Sequence, residues 1–381
     1  MGSFTVEENK RVYGAKIKVI GAGGGGGNMI NHMIRENSDL NVDLIIANTD
    51  VQALENSSAH TKIQLGERTT KGLGAGMDPK IGKAAADESY DEIKSALETS
   101  DIVFIATGLG GGTGTGATPI VARAAKEVGS LTVAVVTMPF SFEGKKRRNQ
   151  AEAGLIELRK ECDSIVVIPN DKLLTLIDKK AGIAESYKMV DNVLARAVSG
   201  MSTIILNSES SMNIDFADVR TIMSYRGMAL MGMGDAQGEE AAQEAIKNAI
   251  QSPLLDNVSI NGAMGVLVHF KISPLCPLSD IHEAMMIINE AADENANIKM
   301  GTTTDDEIED NRVEVTIIAT GFKSTIEEKI EATATPIEQK PTIGNPMLSK
   351  RLEKLKVSGG YESEEAMEEL EKPTWLRRQM D

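Results

Sequence analysis

Glycines and two threonines fill residues 108–116, apart from one leucine, in a pattern that could bind phosphate. An apolar run, Ile102–Ala106, precedes them, and Pro119 follows where the first turn of a helix tolerates a missing N–H. Glycines let successive backbone N–H groups turn toward one point, where a helix N-terminus adds partial positive charge. No lysine follows the glycines, so the pattern is not a P-loop. The sequence therefore predicts a strand, a phosphate-binding loop and a helix.

Further glycine clusters occupy residues 21–27 and 72–76. Asn48 and Asp50 follow another predicted strand, Val42–Ala47, which lies between the two clusters. Because the carboxyl ends of parallel strands meet at one edge of a sheet, we expect these loops and the loop at 108–116 to meet there. Three such loops could surround a chain of phosphates.

The first cluster also permits another interpretation. Gly21, Gly23 and Gly26 satisfy the GxGxxG pattern of dinucleotide-binding folds, and Asp50 lies roughly where such folds place a ribose-binding acid. A dinucleotide needs only one such loop for its pyrophosphate, so the repeated glycine clusters favour a longer phosphate chain. An NAD(P)-dependent oxidoreductase remains the alternative at this point.

Two pairs of residues have helical spacing. Tyr187 and Asp191 would share one helix face, where a ring could stack on a base and a carboxylate could accept from the paired donors of guanine. The same spacing fits a partly buried tyrosine beside a surface aspartate. Asp215 and Asp218 fit an N-cap and a first-turn carboxylate of a helix. A capped helix end would also hold two carboxylates rigidly enough to act on a water molecule.

Composition limits the class of protein. The chain has 381 residues, 41% of them hydrophobic, a formal net charge of −16 and two cysteines. Two cysteines cannot form a disulfide framework, and the negative charge disfavours nucleic acid and anionic lipid as direct partners. No apolar run reaches the ~18 residues that a membrane-spanning helix needs. We expect a soluble cytoplasmic protein.

Seven motifs then follow one another in the order GAGGGGGN, NTD, GLGAG, GLGGGTGTG, FEGKKR, PNDKL and NIDFADV. In these motifs the chain resembles the tubulin/FtsZ family of GTPases, over about residues 16–322 and again in the last ten residues. The implied fold class is α/β: a Rossmann-like GTP-binding domain with a parallel sheet, a long central helix, a smaller α+β C-terminal domain and a flexible tail.

The resemblance implies domain limits along the chain. They are a flexible N-terminal arm (1–14), the GTP-binding domain (15–188), the central helix (189–211), the C-terminal domain with the catalytic loop at its start (212–322), a disordered linker (323–371) and an adaptor-binding peptide (372–381).

It also implies which residues act. The nucleotide-binding residues would be Gly24, Gly25, Asn28, Asn48, Asp50, Gly74, Ala75, Gly76, Gly108, Gly110, Gly111, Gly112, Thr113, Gly114, Thr115, Gly116, Glu143, Arg147, Asn170, Tyr187 and Asp191. The catalytic residues would be Asn213, Asp215 and Asp218, acting on the nucleotide of the next subunit. Trp375, Leu376 and Arg377 would bind an adaptor.

The implied activity is hydrolysis of GTP to GDP and phosphate with Mg²⁺, coupled to head-to-tail polymerisation into filaments of the bacterial division ring. The implied partners are the chain itself, a membrane adaptor of the FtsA type, other division-ring proteins and assembly inhibitors. Neither nucleic acid nor direct membrane insertion is expected, and the location would be the mid-cell division site beneath the membrane. A scaffold that binds GTP without hydrolysing it is a further alternative.

Overall fold

Strand β4, Ile102–Gly108, runs through the parallel part of the sheet and is buried on both faces. The computed structural model describes residues 15–36, 42–174, 182–206, 215–225, 228–252, 255, 260, 262–305, 308 and 311–322. The other strands are β1 Ile17–Ala22, β2 Asp43–Asn48, β3 Thr61–Gln64, β5 Leu131–Met138, β6 Ser164–Pro169, β7 Met228–Gln237, β8 Gly265–Ile272, β9 Asn297–Thr304 and β10 Arg312–Phe322.

Helices connect the strands and cover both faces. They are α1 Gly23–Arg35, α2 Val51–Glu55, α3 Glu67–Thr70, α4 Pro79–Glu88, α5 Tyr90–Leu97, α6 Thr113–Glu127, α7 Lys145–Glu161, α8 Asn170–Leu173, α9 Ile183–Leu206, α10 Phe216–Met223, α11 Ala241–Ile250 and α12 Leu278–Ala291. Within the ranges just given, no helix is long and apolar enough to cross a membrane.

The strand order is β3-β2-β1-β4-β5-β6-β7-β10-β8-β9. Strands β1 to β6 are all parallel, as expected where a helix separates successive strands. The glycine loops after β1 and β4 therefore emerge at the same edge, because these two strands are direct neighbours.

The sheet does not stop at the end of this parallel part. Strand β7 continues it through two parallel positions, Ile165 with Met228 and Val166 with Ala229. Antiparallel pairing of β7 with β10 and of β10 with β8 follows. The C-terminal part thus has its own helices, α11 and α12, as the α+β prediction requires, but it shares one sheet with the nucleotide-binding part.

Alternate residues of β4 enter two different cores. Phe104 packs in a cluster that includes Met201 of α9, whereas Ile105 belongs to a cluster with Val121 of α6. Burial on both faces explains why this strand is a continuous apolar run without alternation.

Helix α9 is the predicted central helix, and it begins six residues earlier than predicted, at Ile183. Its buried residues include Val190, Leu194, Val198 and Met201, which pack against the sheet. The residues at 207–214 lie outside the described part of the chain, so the predicted end of the helix at 211 stays a prediction.

Candidate nucleotide site

The glycine loops after β1 and β4 touch backbone to backbone. A Cβ atom added to Gly23 would lie 2.8 Å from the backbone N of Gly114, and one added to Gly25 would lie 3.1 Å from the backbone N of Gly108. Side chains on either loop would force them apart. Glycine at these positions is therefore a condition for bringing the two loops together.

The third glycine cluster joins the other two. The N–H of Gly74 donates to the carbonyl of Thr49 over 3.1 Å, and the Thr49 and Thr113 hydroxyls are 2.6 Å apart. A Cβ atom on Gly112 would approach that of Ala75 to 2.9 Å. The predicted meeting of three glycine clusters at one sheet edge is confirmed.

Three glycines of these clusters face open space. No described atom lies within 4 Å of a Cβ atom placed on Gly24, Gly76 or Gly111. Gly24 and Gly111 also avoid the left-handed φ region, so neither packing nor backbone conformation within the chain requires glycine there. Close approach of a ligand would explain their lack of side chains.

Other residues of the same run are occupied by packing. Gly116 lies inside α6 against the carbonyl of Pro79, and Gly114 packs against the Thr107 hydroxyl. The Thr115 hydroxyl, buried with its residue, accepts from the N–H of Gly110 over 2.8 Å. Gly114, Thr115 and Gly116 therefore shape the loop from inside, and their predicted role in nucleotide binding stays a prediction.

The polar residues after β2 also serve the local structure. Asp50 caps α2 by accepting from the N–H of Gln52 over 2.9 Å, and buried Asn48 accepts from the N–H of Asp50 over 3.3 Å. Asn28, in contrast, is exposed in the second turn of α1. One oxygen of the Asp50 carboxylate, Oδ1, is thus engaged at the start of α2.

Glu143 and Arg147 form an ion pair beside the glycine loop. The guanidinium of Arg147 lies 2.9 Å from one carboxylate oxygen of Glu143, whose other oxygen accepts from the N–H of Phe140 over 2.8 Å. The Cγ atom of Arg147 would be 2.8 Å from a Cβ atom on Gly110. The pair is therefore positioned at the loop, with Glu143 facing inward.

Asn170, Tyr187 and Asp191 are the residues predicted to recognise a base. Asn170 is 5% exposed, and its side-chain oxygen has no hydrogen-bond partner in the described part of the chain. Tyr187 and Asp191 both lie on α9, as their spacing predicted. Burial raises the pKa of Asp191 to about 6, an effect that the charge of Arg35 opposes.

An aromatic group, not singled out by the sequence, sets the orientation of Tyr187. The Phe140 ring meets the Tyr187 ring edge to face, with centroids 5.6 Å apart, and stacks on Phe142 at 5.0 Å. Tyr187 is still 39% exposed, so part of the ring is available for stacking. The motif MPFSF carried the signal, since its two phenylalanines have a spacing that could place them in contact.

Asp215 and Asp218 lie at the start of α10, as predicted. Asp215 accepts from the N–H of Ala217 over 3.3 Å as the N-cap, and Asp218 is in the first turn. The carboxylate of Asp218 also lies 3.0 Å from the ammonium group of Lys299, a contact that the sequence did not indicate. Asn213 lies outside the described residues, as do Trp375, Leu376 and Arg377.

Helix α10 packs far from the glycine loops. Val219 and Met223 line a small cavity together with Ile102 and Leu131, the first residues of β4 and β5. The glycine loops lie at the other ends of these strands, about 20 Å away for a strand of this length. The two aspartates and the glycine loops are therefore at opposite edges of the sheet.

Comparison with known proteins agrees with this geometry. Residues 16–178 match the model of the tubulin/FtsZ family GTPase domain, and residues 227–323 match that of the FtsZ family C-terminal domain. Cell division protein FtsZ from two strains of Helicobacter pylori is 46% identical over 388 positions, which cover 100% of this chain and 97% of each relative.

Solved structures agree as well. An empty FtsZ dimer from M. jannaschii aligns with a TM-score of 0.76 and 43% identity, over 81% of this chain and 88% of that one. CetZ2 from Haloferax volcanii, solved as a GTPγS-bound protofilament, shares the fold with a TM-score of 0.69 at 21% identity, over 83% of this chain and 97% of that one. These matches exclude the dinucleotide-binding alternative. The chain belongs to the FtsZ family of tubulin-like GTPases.

Proposed function

We propose that this GTPase polymerises head to tail into filaments of the bacterial division ring and hydrolyses GTP where two subunits meet. Its relatives include proteins named cell division protein FtsZ and an FtsZ dimer of known structure, which supports self-assembly. The observation that carries the proposal is the placement of three glycine clusters at one sheet edge and two aspartates at the opposite edge.

The triphosphate would lie against the three glycine clusters. Gly24 and Gly111 have room in front of them, and backbone N–H groups of the loops, together with the N-terminus of α6, would favour the negative charge of phosphates. Gly25, Gly74, Ala75, Gly76, Gly108 and Gly112 would complete this cradle. Arg147, whose side chain reaches the loop at Gly110, would donate N–H groups to a phosphate there while it remains paired with Glu143.

Guanine would lie between Tyr187, Asp191 and Asn170. The exposed part of the Tyr187 ring offers a stacking surface, and the ionised carboxylate of Asp191 would accept from the N–H and NH₂ donors of guanine. The buried oxygen of Asn170 needs a hydrogen-bond donor, because a buried acceptor without one is costly. Adenine does not offer the donor pair that Asp191 requires, which makes GTP the favoured nucleotide.

Asp215 and Asp218 would act on the nucleotide of the neighbouring subunit. A separation of about 20 Å along the strands prevents them from reaching the glycine loops of their own chain. Stacking subunits head to tail would bring this edge of one chain onto the glycine-loop edge of the next. Asn213, within the same motif, would belong to the same loop.

The chemistry is attack of water on the γ-phosphorus. The carboxylates of Asp215 and Asp218 would hold and polarise the water, whose oxygen bonds to phosphorus while the bond to the β–γ bridging oxygen breaks and GDP leaves. In the described part of the chain, no group of three or more His, Cys, Asp or Glu residues could cage a metal. Mg²⁺, which proteins commonly hold through phosphates and water, would neutralise phosphate charge.

The remaining partners would engage the C-terminal end. Trp375, Leu376 and Arg377, at the end of a segment rich in proline, glycine and acidic residues, would bind a membrane adaptor of the FtsA type. The filaments would then lie at the mid-cell division site beneath the membrane. Other division-ring proteins and assembly inhibitors would meet the filament rather than the isolated chain.

Phosphate release from GTP tests this proposal, with ATP as the control nucleotide, over a range of protein concentrations. We expect release from GTP only, with a rate per subunit that rises steeply above a threshold concentration. A rate per subunit that stays constant with concentration would mean that one chain holds the whole active site. That result would remove Asp215 and Asp218 from the catalytic role.

A further inference from the structure

Lys299 forms an ion pair with one of the two proposed catalytic aspartates. Its ammonium group lies 3.0 Å from the carboxylate of Asp218, and both side chains remain about 40% exposed, at 38% and 40%. Lys299 is a β9 residue, whereas Asp218 is in the first turn of α10. The contact therefore links the start of α10 to a strand that is distant in the sequence.

The register of β9 directs Lys299 toward α10. Lys299 pairs with Leu267 of β8, and Leu267 is buried in the cluster that contains Val219 and Met223 of α10. Adjacent residues of a strand point to opposite faces, and Met300 accordingly lines a groove beside α12. The sheet geometry, and not a chance rotamer, brings the lysine to the same side as Asp218.

We propose that Lys299 is a positioning residue for Asp218 in GTP hydrolysis across the subunit contact. This inference rests on the proposed function of Asp218. The ammonium group restrains the Asp218 carboxylate while the Asp215 cap restrains the helix start, so both acids are in place before the neighbouring nucleotide arrives. Such restraint matters because small displacements of a reacting group lower rates strongly.

Lys299 also offsets a charge conflict. Two carboxylates must approach a triphosphate of the neighbouring subunit, and like charges repel at short range. The ammonium group of Lys299 neutralises half of the negative charge that Asp215 and Asp218 bring toward the triphosphate. Lys299 thereby lowers the repulsion that opposes contact between the subunits, while Asp218 still orients the water.

Protection of a sheet edge is the competing explanation for this lysine. Strand β9 is the last strand of the described sheet, and lysines on edge strands discourage pairing with other chains. Lys271 of β8 provides a matched control: it lies on the same face, is 39% exposed and pairs with Asp305 at 2.7 Å. Its register position is four residues beyond that of Lys299, about 13 Å along the sheet.

The experiment compares GTP turnover per assembled subunit in the full chain, with assembled protein quantified by sedimentation. We expect Lys299→Met to lower this turnover about fivefold, equivalent to ~1 kcal/mol. Lys299→Arg should recover most of the loss, and Lys271→Met should show none. GTP affinity of unassembled Lys299→Met should be unchanged, because Lys299 lies toward the amino-terminal ends of the parallel strands. The glycine loops that would bind the nucleotide of the same chain lie at the carboxyl-terminal ends.

An Asp218→Ala background separates the positioning role of Lys299 from the catalytic role of Asp218. If Lys299 acts through Asp218, Lys299→Met causes no further loss in that background. Unchanged turnover in Lys299→Met, an equal loss in Lys271→Met or a further loss in the Asp218→Ala background would overturn the role of Lys299 alone. Unchanged turnover in Asp218→Ala itself would instead overturn the catalytic role proposed for Asp218.

Discussion

Replacement of Gly24 by alanine separates binding from folding. Gly24 lies in the first turn of α1 with no described atom within 4 Å of a Cβ position and with a φ outside the left-handed region. The chain itself can accept a methyl group there. A phosphate seated on the loop cannot, if it approaches the backbone as closely as the proposal requires.

Gly24→Ala should stabilise the fold and weaken GTP binding. Without nucleotide, Gly24→Ala should raise the free energy of unfolding by about 0.4–1 kcal/mol, because alanine has less conformational entropy to lose. A methyl group that displaces one charge-assisted hydrogen bond to phosphate costs about 1.5–3 kcal/mol of binding. GTP affinity should therefore fall by roughly one to two orders of magnitude.

Both quantities can be measured on the same preparation. Urea denaturation of the nucleotide-free protein reports stability, and calorimetric titration with GTP below the assembly threshold reports affinity. Gly182→Ala serves as the control, since no described atom lies within 4 Å of a Cβ position on Gly182, its φ is ordinary, and it lies outside the three glycine clusters. It should leave GTP affinity unchanged.

Unchanged GTP affinity in Gly24→Ala would show that the phosphates do not pass over this residue. A loss of stability greater than about 1 kcal/mol, against the expected gain, would show that the space in front of Gly24 is filled in the folded chain.

Two further predictions use the pKa of Asp191 and the glycines of β7. Because the pKa of Asp191 is raised to about 6 and only its ionised form accepts from guanine, GTP affinity should fall about tenfold between pH 7 and pH 5. Asp191→Asn should bind weakly and without this pH dependence; a pH-dependent Asp191→Asn would assign the titration to another group. Gly234→Ala should destabilise the chain by about 1–3 kcal/mol in urea denaturation, because its Cβ would overlap the backbone of α11 at Ala245 and Ala249. A stability equal to that of the unmodified chain would mean that α11 can move away from β7.

The predictions that succeeded depend on neighbours in the sequence. Apolar runs and glycine loops predicted parallel strands ending at one edge, and the i, i+4 spacing of Tyr187 and Asp191 predicted a common helix. Asp215 was identified as a helix cap from its position alone. Such features follow from short-range geometry, which the order of residues contains directly.

Strands β7 and β9 have weak strand signals in the sequence, for a physical reason. Gly232 and Gly234 lower the strand propensity of β7, yet they are needed because α11 lies directly against that strand. In β9, the apolar–polar alternation of Ile298, Lys299 and Met300 is not continued by the glycine and three threonines at 301–304, so the strand signal is too short to identify a half-buried strand. In β7 the cause is α11, the helix that follows the strand and packs back onto it.

Residue order alone indicates that phosphate-binding loops exist, where they begin and which helices carry the candidate base-binding and catalytic side chains. Folding is what encloses Gly114 and Gly116 but leaves no described atom in front of Gly24 and Gly111. It also places Asp215 and Asp218 at the opposite ends of the strands from the glycine loops, and it brings Lys299 to Asp218. Local periodicity depends only on residues that are close in the sequence. Contacts across the sheet depend on strand order and register, which bring together residues that no short segment of the sequence relates.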